Sequence, residues 1–141
     1  MFTSNEVIAV LCAYVCGVIL GFERTLHNRV VGIKTHALVS MGAAVFTLMA
    51  AKVGKENTLY AAVMIGGIIS GIGFFARGAV MQENNGMTTN QPTAATVWIS
   101  AAIGVTCGLL QLPLAFMITV IVVATTFFTE KLNQQVKKRI E

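Results

Sequence analysis

Charge is the scarcest property of this sequence. Only 11% of its 141 residues are charged, whereas 55% are hydrophobic, and the mean hydropathy is +0.75. A soluble globule of this size needs more polar surface, so a single membrane domain is expected. Acids are especially few, six against ten strong bases, which excludes an acidic tail or a dense carboxylate site. In a soluble chain the resulting charge of +4 would suggest nucleic acid. In an inserted one it follows the orientation rule for helices, so no nucleic-acid partner is expected. The start, MFTSNEVIAV, has no basic segment ahead of its first apolar run, so the N-terminus is expected to stay attached as the first span. Cys12 and Cys16 share a helix face, but two thiols without a nearby histidine or third cysteine are too few for a metal site. With Cys107 they read as buried, reduced packing residues. No nucleophile and base stand at a motif spacing, and there is neither a phosphate loop nor a metal cluster. The reading is therefore non-enzymatic, with no catalytic residue, metal or cofactor.

What the chain does have is long apolar runs. A hydrocarbon core about 30 Å thick takes about 20 helical residues, and five runs qualify as spans: Glu6 to Phe22, Thr35 to Ala51, Leu59 to Ala76, Thr93 to Leu110, and Pro113 to Thr129. The predicted fold is all-α, a polytopic transmembrane helical bundle of about five spans. Gln111-Leu112-Pro113 suits a tight antiparallel hairpin with proline at a helix start; a re-entrant pair or one bent helix is the alternative. Bases at Arg24, Arg29, Lys34, Arg77, Lys131, Lys137, Lys138 and Arg139 fall on one side, and Lys52 and Lys55 on the other. That bias places the N-terminus outside and the C-terminus in the cytoplasm. Residues 1–129 form the transmembrane domain. Residues 130–141 form a basic tail in which Leu132, Val136 and Ile140 recur at four-residue spacing, the pattern of an amphipathic helix on the inner leaflet.

Small residues also recur every four positions: Ala13, Gly17 and Gly21; Gly67 and Gly71; Ser100, Gly104 and Gly108. Such faces let helix backbones approach closely in lipid. They fit an oligomer interface or a sliding helix, and equally fit packing within one bundle.

The densest polar stretch is residues 21–36, GFERTLHNRVVGIKTH. Glu23 and Arg24 fall where the first span reaches the interface, and Lys34, Thr35 and His36 where the second begins. Charges at that depth must pair or touch water, so Glu23 is expected to pair with Arg24, Arg29 or Lys34. Gly32 is expected to allow a sharp turn and Thr35 to cap the second helix. His36 adds a side chain whose ordinary titration range borders neutrality. On physical grounds alone, the stretch is a basic anchor with a capped helix.

The same residues resemble the signature of the MgtC/SapB family of bacterial inner-membrane proteins: G-x-E-R at Gly21 to Arg24, then Val31 to His36 after six residues. Further blocks follow in order, at Ala37-Leu38-Val39 with Gly42-Ala43-Ala44, at Ser70-Gly71-Ile72-Gly73-Phe74 with Gly78, and at Thr93 to Trp98 with Ala101 to Gly104. The resemblance implies that Gly21, Gly32, Gly71, Gly73 and Gly78 are motif glycines. With the first block, Glu23, Arg24, Lys34, Thr35 and His36 form an expected functional polar cluster, to which Arg77 is added as a charge at the membrane-embedded end of the third span. There are departures. Lys34 stands where the family usually has arginine, which loses the bidentate fork. Val63 and Gly67 stand where it has arginine and glutamine, Phe75-Ala76-Arg77 where it has L-G-A, and Asn90 to Thr93 where it has G-L-T-T. Roles resting on those positions do not carry over. Arg77 needs a partner, with Glu23 expected and Glu83 the other acid on that side; the alternative is that it snorkels to the headgroups. The amide- and hydroxyl-rich loop from Gln82 to Gln91 could hydrate an ion, or serve simply as a loop.

Family members commonly carry a soluble C-terminal domain, so this chain resembles a short form from which functions of that domain are expected to be missing. The resemblance implies a multi-pass protein of the bacterial inner membrane that regulates magnesium homeostasis or adaptation to acid and low-magnesium stress. The expected partners are the lipid bilayer, further copies in a homo-oligomer, and a membrane protein such as the ATP synthase. The alternative is an ion transporter or channel with a path lined by Glu23, His36 and Arg77. Against a magnesium pore, the ion favours carboxylate and water oxygens, and the chain offers one acid at membrane depth among several bases. A ring of Glu23 in an oligomer would reverse that argument.

Overall fold

The structure is a computed structural model that describes residues 3–29, 31–55, 58–81 and 91–140. All of its regular structure among those residues is helical: α1 (Ser4–Leu26), α2 (Ile33–Val53), α3 (Thr58–Met81), α4 (Gln91–Gly108) and α5 (Leu112–Ile140). Each apolar run of the sequence has become one helix. Helices α1, α2, α3 and α5 are long and apolar enough to cross a membrane, whereas the apolar part of α4, Pro92–Gly108, is shorter.

Side-chain pairings fix how the helices run. Glu6 near the start of α1 meets Lys52 near the end of α2 at 3.1 Å, so the two are antiparallel. At the other end of the bundle Arg24 reaches Thr93 at the start of α4, and Arg29 meets Glu130 far along α5. Helix α4 finishes with Gly108 against Ala44 and Thr47 of α2. It therefore runs parallel to α2 over nearly the same height, and the chain traverses the bundle five times with its ends on opposite sides.

Helices α1, α2 and α4 form the core, with α3 laid on α2 and α4, and α5 laid on α1 and α4. Close approach is the work of small residues. A Cβ at Gly17 would stand 2.6 Å from the His36 carbonyl oxygen, and one at Gly21 would stand 2.5 Å from Ile33 Cα. Ala13, Cys16, Leu20, Ala44, Ile103, Cys107 and Ala115 fill the centre. Around them lies an exposed apolar mantle that includes Leu11, Phe46, Phe74, Phe116 and Phe128, as expected of a surface that faces lipid rather than water.

The α4 to α5 connection is a tight reversal between two separate helices. Leu110 takes the left-handed conformation (φ 61), and the Leu110 and Gln111 amides donate to the carbonyls of Cys107 and Thr106, satisfying groups that the helix end leaves open. Pro92 and Pro113 each fall in the first turn of a helix, where a missing N–H does no harm. Helix α5 continues through Glu130 to Ile140 without a break. At 1.5 Å per residue it is about 43 Å long, more than the hydrocarbon layer needs.

Candidate functional site: a buried polar seam

The α1 to α2 turn is built from backbone contacts and one hydroxyl. Past the end of α1, Asn28 adopts φ 51, a conformation asparagine tolerates better than most residues, and the Arg29 amide returns to the Arg24 carbonyl at 3.0 Å. Gly32 is extended, with φ −114 and ψ −153. Its role is space rather than a sharp turn, because a Cβ there would lie 2.6 Å from Thr25 Oγ1. Thr25 Oγ1 donates to the Gly21 carbonyl at 2.9 Å and accepts from the Ile33 amide at 3.3 Å. The first turn of α2 is thus capped from α1 and not by Thr35, which lies inside the helix.

The charges pair differently from the sequence expectation. Glu23 and Arg24 are both buried, and His27, one turn on, takes the Glu23 contact. Its Nδ1 lies 3.2 Å from Glu23 Oε1 and 2.9 Å from the Glu23 carbonyl oxygen. Both atoms are acceptors, so Nδ1 carries the proton. Arg24 instead extends to α4, where it donates to Thr93 Oγ1 at 3.4 Å. Arg29 binds Glu130. Lys34 is exposed. Arg77 is also exposed, near the end of α3, and Glu23 pairs with His27. Glu83 and the loop from Gln82 to Asn90 lie outside the described residues. Gln91, the last residue of the expected loop, opens α4.

Deeper in the bundle, His36 is fully buried where α2 faces α4. Its Nδ1 lies 2.8 Å from Ser100 Oγ, and that hydroxyl donates to the Thr96 carbonyl at 2.9 Å. The Ser100 hydroxyl thus links His36 on α2 to the backbone of α4. Ser40 and Thr47 continue the seam along α2, and Thr93 and Thr96 along α4, all of them buried. Thr47, Thr106 and Thr119 return their hydroxyls to carbonyls four residues back, a low-cost way to satisfy a hydroxyl in lipid. Glu23 Oε2, Arg24 Nε, His36 Nε2 and Ser40 Oγ are buried without a protein partner. An unmet buried polar atom costs about 1–3 kcal/mol, so such atoms in a native fold call for a partner such as an ordered water.

The fold thus buries Glu23, Arg24 and His36, with His27 beside Glu23 set edge-on to Phe127 of α5, and leaves Lys34 and Arg77 exposed. Of the motif glycines, Gly21 and Gly32 are tightly packed, whereas a Cβ at Gly71, Gly73 or Gly78 would meet nothing within 4 Å. Sequence reasoning missed His27, Ser40, Thr93, Ser100 and Glu130 as members of the site. The spacing of Glu23 and His27 was a readable signal, since residues four apart meet on a helix. The Arg29 to Glu130 pair, 101 residues apart, carried none. Among the described residues no three histidine, cysteine, aspartate or glutamate side chains are grouped to hold a metal.

A model of the MgtC family matches residues 10–135. Protein MgtC of Salmonella typhimurium is 36% identical over 139 residues, covering 98% of this chain and 58% of its own. Protein MgtC of Brucella abortus is 36% identical over 124 residues, covering 86% and 50%. The chain thus spans about half the length of these curated relatives. No solved structure matches significantly.

Proposed function

Because the chain belongs to the MgtC family of multi-pass bacterial inner-membrane proteins, we propose that it is a non-enzymatic regulator of magnesium homeostasis and of adaptation to acid or low-magnesium stress. It works through contact with another membrane protein, such as the ATP synthase, and as a homo-oligomer. The hairpin of residues 23–34 faces the cytoplasm, in keeping with the bias of Lys and Arg toward that end.

The observation that carries this reading is the burial of Glu23, Arg24 and His36 within the helix bundle. Groups that line a conducting path face an opening. These three are held by helix contacts, and Arg77, the third member of the expected path, is on the outer side of α3. One buried carboxylate beside Arg24 and Arg29 also repels a divalent cation more than it attracts one. The second reading, an ion path, draws its support from the four buried polar atoms without protein partners, which would suit a chain of waters.

The test replaces Glu23 by Gln, nearly the same shape without the charge. Growth in low magnesium or acid should fall to the level of the deletion strain while the amount of protein in the membrane is unchanged. If the protein disappears from the membrane, Glu23 is structural only and the proposed role fails. Purified protein in liposomes should show no magnesium flux above empty vesicles; flux abolished by Glu23→Gln would establish the ion path instead.

A further inference from the structure

Two long grooves notch the apolar surface, and they end differently. The groove between α1 and α2, about 470 Å³, terminates at Glu6 and Lys52, which meet each other at 3.1 Å. The groove between α2 and α3, about 480 Å³, is apolar along its whole length, with Leu38, Gly42 and Phe46 on one wall and Ile68, Gly71 and Ile72 on the other. Leu38, Gly42 and Phe46 follow at four-residue spacing, and Lys34 is one step further toward the start of α2, on the same stripe. The end of α3 lies beside that start, because Ala76 and Ile72 share a packed cluster with Val31. Lys34 therefore stands where the groove opens at the end of the bundle.

The ion pairs among the described residues are Glu23 with His27, Arg29 with Glu130 and Glu6 with Lys52. Lys34 belongs to none of them and is exposed. A helical side chain leans toward the N-terminus of its own helix. For Lys34 that direction is away from the groove and toward water, so its methylene stem carries the ammonium to headgroup level. From Lys34 to Phe46 the stripe descends about 18 Å. That is a little more than half of a hydrocarbon core about 30 Å thick, the depth one acyl chain covers in its own leaflet.

Charge decides which lipid fits. Every phospholipid has a phosphate for Lys34, but an ethanolamine or choline headgroup brings its own cation. At this end of the bundle Arg24, Arg29, Lys34 and Arg77 already outnumber Glu23 and Glu130 among the described residues. A glycerol headgroup leaves the phosphate charge uncompensated, so it answers Lys34 without adding a cation there. We propose that the α2 to α3 groove binds one anionic phospholipid, its acyl chain along Leu38, Gly42 and Phe46 and its phosphate on Lys34.

The test is native mass spectrometry of the full chain, released from micelles with equal amounts of glycerol, ethanolamine and choline phospholipids of matched acyl chains. The wild type should retain the glycerol lipid in about five-fold excess over either competitor, the scale of one basic residue at an anionic surface. Equal retention of all three overturns the proposal. Lys34→Gln should bring the three lipids to parity. In Gly71→Leu the new side chain starts in open space and grows into the groove, so the excess should again be lost although Lys34 remains. Preference for the glycerol lipid that survives in either variant, with helical content and a monodisperse elution preserved, would place the lipid elsewhere and overturn the assignment. Arg77→Gln should keep the five-fold excess, because Arg77 is about two and a half turns from Ile68 and so on the opposite face of α3. Loss of the preference in that variant would put the lipid on the outer side of α3, which also overturns the proposal.

Discussion

Where α1, α2 and α4 meet, a methyl group added at Gly17, Gly21 or Gly108 would lie 2.5–2.6 Å from an atom of the facing helix; on α3, at Gly66, Gly67, Gly71, Gly73 or Gly78, it would meet nothing within 4 Å. The burial of the two regions follows suit, with 44% of the α2 span buried and 6% of the α3 span. In lipid, apolar side chains have no reason to leave their surroundings, so close contact and polar bonding hold helices together. The α1, α2 and α4 unit has both. Helix α3 rests on its neighbours mainly through a patch of Ile72, Ala76, Val97 and Val31. One residue type therefore does two things: it closes an interface on one side of the molecule and leaves a face uncovered on the other.

The largest expected effect comes from breaking the closed side. In Gly104→Leu the new side chain would start inside the Ser40 carbonyl, and the loss should be about 3 kcal/mol, the upper range for overpacking. Unfolding by SDS titrated into mild detergent reads it directly, and a wild-type midpoint would mean that α2 and α4 do not pack as described. A middle effect comes from the polar bonding of the same unit. Ser100→Ala strands His36 Nδ1 in a buried site and should cost about 1–2 kcal/mol in the same titration. A neutral result would show that His36 has another partner. The smallest effect should have the opposite sign. Gly67→Ala adds a methyl to open space and removes one flexible position from a helix, so stability should rise by about 0.5–1 kcal/mol. Destabilisation there, together with loss of a crosslinkable dimer, would show that a second copy covers this face in the membrane.

Much of this was legible in the sequence. The five helices follow from apolar runs whose length is set by the bilayer, and the polar stretch at residues 21–36 falls at a hairpin because charges are driven to helix ends. Less legible was which glycine stripe closes. Gly17 and Gly21 look like Gly67 and Gly71 until a facing helix is assigned, and only the register between helices does that. The partners of the charges were also hidden. Arg24 finds Thr93, and Arg29 finds Glu130, only after distant segments are brought to one end of the bundle. Thr35 was a reasonable cap by type and position, yet the hydroxyl of Thr25 on the neighbouring helix reaches the Ile33 amide instead.

The burial of α4 bears on how the protein is made. Its inward face carries Thr93, Thr96 and Ser100, and its apolar stretch is the shortest of the five helices. Alone in lipid, such a short segment would gain little, and His36 on α2 would lack its contact with Ser100 until α4 arrives. Helix α4 should therefore settle only after α1 and α2 have lined the slot it enters, before α5 packs on α1 and α4. A ribosome pausing before residue 91 would leave an insertion intermediate with α1 to α3 in place and that slot still open.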